Sequence, residues 1–169
     1  TPKGQIMSYN IKQASEKDAE QVARYVIKLL SELDSKNIDS FDLGKYTEIA
    51  KKLINNGKVI ALLAYESNTP LGLMTLNNCA AIYNEGDFGE ISELYVEPKY
   101  RSEKIGQLLL EEARKIGKQQ GWRRIEVGAP SYKEWSRTIS FYKKNGYTEI
   151  GPRLCVDIIS NPPSPQERA

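Results

Sequence analysis

Apolar positions along the chain change period from block to block, and the changes mark the elements. Ala19, Val22, Ala23, Val26, Ile27, Leu30 and Leu33 recur at three- and four-residue spacing, which predicts an amphipathic helix of more than three turns. Ser15-Glu16-Lys17-Asp18 ahead of it has the form of a capping box, and a short strand is expected over 8–13. An Asp-rich stretch, 34–44, reads as a solvated connection, with a substrate-recognition loop as the alternative. A second helix should follow to about Asn55, stopped by Asn56-Gly57. Residues 59–65 form an unbroken apolar run of strand length. Ser67-Asn68-Thr69-Pro70 is turn chemistry, and 71–76 is the return strand of a hairpin. Residues 83–89 read as a link to the next strand. Further on, 125–127 is strand-like, 137–144 is a short helix capped by Asn145-Gly146, and 148–150 and 154–159 are expected to complete a mixed sheet.

The stretch from Glu93 to Ile116 organises the rest. Leu94-Tyr95-Val96 is a strand stopped by Pro98, and Ile105, Leu108, Leu109, Ala113 and Ile116 define a helix. The turn between them aims backbone amides, and the positive end of the helix dipole, at whatever lies over the helix start. Lys99, Arg101 and Lys104 surround that end with only Glu103 opposing, and Gly106 lacks the Cβ that would hold a bulky anion away. The physical reading is a pyrophosphate site; the plainer one is a basic loop before an ordinary helix. Just upstream, Glu85, Asp87, Glu90, Glu93 and Glu97 form an acidic run with no Lys or Arg. Acid beside base suits two ligands of opposite charge, a polyanionic cofactor and a cationic amine, although such a run is often only a solvated edge.

Composition narrows the chemistry mainly by what it lacks. The 169 residues, 40% hydrophobic and 27% charged, suit one globular domain. That domain is expected over 7–159, with Met7 as the native start, 1–6 as a flexible leader or added residues, and 160–169 as a disordered, proline-rich tail. A net charge of +2 gives no domain-wide basic footprint, so nucleic acid is not an expected partner. No stretch reaches transmembrane length, so a cytoplasmic protein without membrane contact is expected. Histidine is absent, which removes Ser-His and Cys-His pairs and leaves no metal expected. Cys79 and Cys155 sit beside apolar residues and are expected to be buried, reduced thiols.

Two segments carry a resemblance. Leu94-Tyr95-Val96-Glu97-Pro98 followed by Arg101-Ser102-Glu103-Lys104-Ile105-Gly106 resembles the Leu-x-Val-x-Pro strand and Arg/Gln-x-x-Gly-x-Gly/Ala turn of the GNAT superfamily of N-acetyltransferases. Phe141-Tyr142-Lys143-Lys144-Asn145-Gly146-Tyr147 resembles its second motif, Phe-Tyr-x-x-x-Gly-Phe/Tyr. Lys104 stands where the family usually has its first Gly; its amide remains, at a cost of about 1 kcal/mol if the turn needs positive φ. Trp135 stands where many members have an Asn that contacts the cofactor arm.

The resemblance implies an α/β fold of the α+β kind, a twisted mixed sheet flanked by helices and splayed at the organising strand, with acetyl-CoA as acyl donor. It implies that the backbone of Leu94, Tyr95 and Val96 meets the pantetheine and polarises the carbonyl. Arg101, Ser102, Glu103, Lys104, Ile105, Gly106 and Gln107 would hold the pyrophosphate, and Tyr142 would meet the cofactor as general acid. Amide synthesis from a thioester needs the amine to lose a proton, and without histidine a carboxylate must take it, directly or through water. Glu93 is the first choice and Glu90 the second; in a regular strand they point to opposite faces. The acceptor, a small-molecule or protein amine, is left open, and a homodimer is compatible with the chain. A non-catalytic acyl-CoA sensor and a plain interaction domain are the competing readings.

Overall fold

In a computed structural model of the protein, residues 8–128, 136–151 and 153–158 are described. Their elements run β1 (Tyr9–Gln13), α1 (Ala19–Asp34), α2 (Leu43–Asn55), β2 (Val59–Glu66), β3 (Thr69–Ala81), β4 (Gly86–Val96), α3 (Ile105–Gln120), β5 (Ile125–Val127) and α4 (Ser136–Lys144). The expected leader, the tail and Trp135 lie outside the described residues. The chain divides into two compact units, Thr1–Glu126 and Val127–Ala169.

In the first unit the sheet order follows the sequence, β1-β2-β3-β4-β5, and the first three pairings are antiparallel. Arg123 N–H bonds the Asp87 carbonyl at 3.1 Å and Gly89 N–H bonds the Arg124 carbonyl at 3.0 Å. Partners that ascend together mean β5 runs parallel to β4, so the sheet is mixed. The expected capping box forms on the 3-10 turn Glu16–Asp18 that leads into α1: Ser15 N–H donates to Asp18 Oδ2 at 2.8 Å, and Ser15 Oγ accepts from Lys17 N–H at 3.3 Å.

The β2–β3 turn is tighter than expected, because Ser67 takes a left-handed φ of 53° and Thr69 and Pro70 already pair with β2. β3 and β4 are also longer than their apolar pattern suggests. Residues 86–89, expected as a link, are strand, with Gly86 opposite Ala81 and Gly89 opposite Asn78. Backbone pairing needs no apolar side chain, so Asn77, Asn78 and Gly89 extend a ladder that a hydrophobic pattern cannot reveal.

The sheet buries both faces. On one, Ala61, Leu63, Leu73 and Tyr95 pack with Ala14 and with Val22 and Tyr25 of α1, and Ala50 and Ile54 of α2 close over them. On the other, Leu62, Met74, Leu76 and Ile91 lie on the side taken by α3, whose Ile105, Leu109, Leu110, Ala113 and Ile116 are buried. Fully burying each such leucine contributes roughly 1.5–3 kcal/mol relative to exposure. Leu108, expected on this face, is half-buried and Leu110 takes its place. Trp122 lies flat over Gly89, where a Cβ would start 2.3 Å from the ring, and its Nε1 donates to Asn78 Oδ1.

In the second unit α4 ends at Asn145-Gly146 as expected. Gly146 takes φ 91°, Gly146 N–H bonds the Lys143 carbonyl at 3.1 Å, and Tyr147 N–H bonds the Tyr142 carbonyl at 3.0 Å, a Schellman closure. The strands expected over 148–150 and 154–159 do not form among the described residues. Leu154, Val156 and Ile158 alternate as a strand would, yet they are 92%, 80% and 92% exposed. Alternation becomes a strand only where a neighbouring ladder accepts its hydrogen bonds. Cys155 is accordingly exposed, not buried, while Cys79 is half-buried in β3; neither is in a disulfide. Among the described residues no helix is long and apolar enough to cross a membrane.

Candidate active site

A break in the register of β3 and β4 builds the centre of the site. Thr75 pairs with Glu93 but Leu76 pairs with Ile91, so Ser92 is an extra residue and β4 bulges there. Two side chains of β3 clamp the bulge. Thr75 Oγ1 accepts the Glu93 N–H at 3.0 Å and donates to Glu93 Oε2, and Asn77 Nδ2 donates to Ser92 Oγ at 2.7 Å. The extra residue also corrects the expected alternation. Glu93 stands opposite Thr75 and Glu90 opposite Asn77, two positions apart on β3, so the two carboxylates share one face, the α1 face.

Burial pushes the Glu93 carboxyl up to about 7, which makes it a group that gives and takes a proton near neutrality. On β5, Ile125 reaches toward Gly117 of α3, so its neighbour Glu126 faces the same side as Glu90 and Glu93, where Arg124 pairs with it. Of the acidic run, Glu97 is taken by Lys28 at 2.6 Å and Glu85 by Arg123 at 3.0 Å.

Toward its end β4 presents its backbone unevenly. Glu97 N–H bonds the Leu71 carbonyl at 2.8 Å, so by alternation Tyr95 turns its polar groups to β3, while those of Leu94 and Val96 point away from β3. The Tyr95 ring is buried against Tyr25, centroids 5.4 Å apart, so neither its ring nor its backbone is turned outward.

Pro98–Tyr100 forms a single 3-10 turn, and Lys104 then caps α3 in the left-handed region with φ 63° and ψ 16°. The first intrahelical bond runs from Leu108 N–H to the Lys104 carbonyl at 3.1 Å. The N–H groups of Ile105, Gly106 and Gln107 therefore project from the helix start, the geometry that receives an anion. Ser102, Glu103 and Lys104 are exposed around it, and Lys99 lies over the Tyr100 ring at 5.1 Å. Arg101 behaves otherwise. Its Nε donates to the Val96 carbonyl at 2.8 Å, its Nη2 meets both oxygens of Glu32 at 2.7 and 3.0 Å, and its guanidinium covers the Tyr95 ring at 5.4 Å.

Tyr142 belongs to the second unit. It is buried, edge-on to Phe141 and Tyr147 with ring centroids 5.3 Å away in each case. Burial, and then Tyr147, push its hydroxyl above the usual tyrosine range, so it stays protonated at neutral pH, the form a proton donor needs.

Sequence reasoning missed Thr75, Asn77 and Glu32. Thr75 left a trace, as the one polar side chain in the run 71–76, 2% exposed in the structure. Glu32 left none, because its partner is 69 positions away.

A family model described as an acetyltransferase (GNAT) domain matches residues 49–149. A spermidine N(1)-acetyltransferase of Thermoplasma acidophilum is 31% identical, covering 83% of this chain and 89% of that one. Among solved structures, a predicted acetyltransferase of Clostridium acetobutylicum with acetyl-CoA superposes with a TM-score of 0.73 at 18% identity, over 89% of this chain and 97% of that one. An aminoglycoside acetyltransferase from an uncultured soil metagenomic sample, in complex with sisomicin, gives 0.72 at 18% identity over 90% and 97%.

Proposed function

Because the chain belongs to the GNAT superfamily and is an acyltransferase, we propose that it moves an acetyl group from acetyl-CoA to a cationic primary amine, by direct attack with both substrates bound. The observation that carries this reading is Glu93, clamped on a bulge with its carboxyl held at about 7. A base at that value takes a proton from an ammonium at working pH and needs no histidine.

The amides of Ile105, Gly106 and Gln107 hold the pyrophosphate, with Lys104 adding charge. Outward backbone at Leu94 and Val96 carries the pantetheine and polarises the thioester carbonyl. The freed amine attacks that carbon, the C–S bond breaks, and Tyr142 protonates the departing thiolate. Acetyl-CoA enters as a co-substrate.

A cationic acceptor fits the face on which Glu90 and Glu93 stand together. A relative points the same way, since spermidine, named for it, carries several cationic amines, as do the aminoglycosides named for a structural neighbour.

Calorimetry with free CoA, followed by thiol release from acetyl-CoA across a panel of polyamines and aminoglycosides, tests the reading. CoA binding abolished by Gly106→Trp, with amine-dependent thiol release, is the expected result. Binding without release across the panel would instead make the protein an acyl-CoA sensor. Tyr142→Phe should lower turnover by roughly 10²-fold with little change in CoA affinity; equal turnover would remove Tyr142 from the acid role.

A further inference from the structure

Three residues of α1, Tyr25, Lys28 and Glu32, recur at three- and four-residue spacing and so lie along one face of the helix. Each meets a residue of the strand end or the turn that follows it. Tyr25 packs on Tyr95, Lys28 pairs with Glu97 at 2.6 Å, and Glu32 grips Arg101 with both oxygens. Arg101 in turn holds the Val96 carbonyl at 2.8 Å. It stands three residues before Lys104, whose left-handed backbone starts α3. The chain of contacts thus runs from α1 through one guanidinium to the turn that opens α3.

From this arrangement we infer that Glu32 is a positioning residue for the cofactor phosphates, acting through Arg101, and that the Arg101 side chain is not itself a phosphate ligand. The inference rests on the reading that the start of α3 cradles the pyrophosphate. A guanidinium whose Nε is held by a carbonyl and whose Nη2 is held by a carboxylate, with its face over an aromatic ring, is oriented by those contacts toward fixing where the turn lies, and only Nη1 stays outside them. The pair is too exposed, 46% and 36% at the two side chains, to matter much for stability, so its effect should fall on geometry.

The alternative has the opposite sign. Were Arg101 a phosphate ligand parked on Glu32, removing the carboxylate would free it, and CoA would bind as well or better. Calorimetric titration with free CoA on wild type, Glu32→Gln, Arg101→Gln and the double variant separates the two. Glu32→Gln should weaken CoA binding by roughly three- to tenfold, and the double variant should be no weaker than Arg101→Gln alone. In turnover, KM for acetyl-CoA should rise in step while kcat at saturating donor holds, and Tm should fall by less than about 3 °C. Unchanged or tighter binding in Glu32→Gln, or additive losses, would overturn the inference and leave the cradle standing. Failure of wild type to bind CoA would sink the cradle itself, and this proposal with it.

Discussion

Glu93 carries opposite consequences for rate and for stability. Its carboxyl sits at about 7 in the folded chain against an ordinary 4.5, so between those values the unfolded chain has released a proton that the folded chain keeps. The stability contributed by the neutral form is complete below pH 4.5 and is lost as pH rises through 7. Glu93→Gln, which mimics that form, should therefore raise stability at pH 8 by roughly 2–3 kcal/mol and leave it unchanged at pH 4. The same substitution should cost about 10²- to 10⁴-fold in kcat and abolish the acid limb of the kcat/KM profile near pH 7. Paired denaturant melts at the two pH values, beside a rate profile, check both. Lys104 allows a similar separation. In its left-handed backbone, Lys104→Gly should shift Tm little, because relief of the side-chain cost is offset by glycine's greater chain entropy. Its loss of CoA affinity, measured at two ionic strengths, would then report the ammonium alone. Both candidate carboxylates and the whole 101–107 turn were legible in the sequence, because their chemistry depends on residues close together in the chain. What set them apart was not legible: the burial that raises Glu93 and the φ that Lys104 adopts are products of packing.

The same contrast appears among elements. Among the described residues, five strands and four helices stand where the sequence places them, apart from the extended ends of β3 and β4 and the strand patterns at 148–150 and 154–158. The bulge was invisible from β4 itself. Glu90 and Glu93 are three apart, and only Thr75 and Asn77 on the neighbouring strand reveal that they face the same way. Removing Ser92 would leave every backbone pairing in place, with Glu93 still opposite Thr75 and Ile91 opposite Leu76, and would take away the bend together with the Asn77 Nδ2–Ser92 Oγ bond. A Ser92 deletion should therefore keep its far-ultraviolet circular dichroism and still lose CoA affinity. Retained affinity would show that the side chains suffice without the bend. At the crossing of β4 and Trp122, Gly89→Ala should destabilise by about 1–3 kcal/mol, since the ring must move and give up its bond to Asn78. The midpoint of urea unfolding reads this directly.

For the molecule as a whole, fold and family were readable because a strand, a basic turn and a helix in that order already specify a site. The acceptor was not, since it depends on which side chains the sheet brings to one face. The ion pairs from α1 to Glu97 and Arg101 have a further consequence, which belongs to the order of events in folding. Both join residues 69 positions apart, while α1 and α2 are neighbours in the chain and β2, β3 and β4 meet through two hairpins. Contacts that close so long a loop are favourable only after the intervening hairpins have shortened it. The turn at the start of α3 should thus be among the last parts to lock, and among the first to loosen. Stopped-flow traces of Glu32→Gln should show faster unfolding and an unaltered refolding rate.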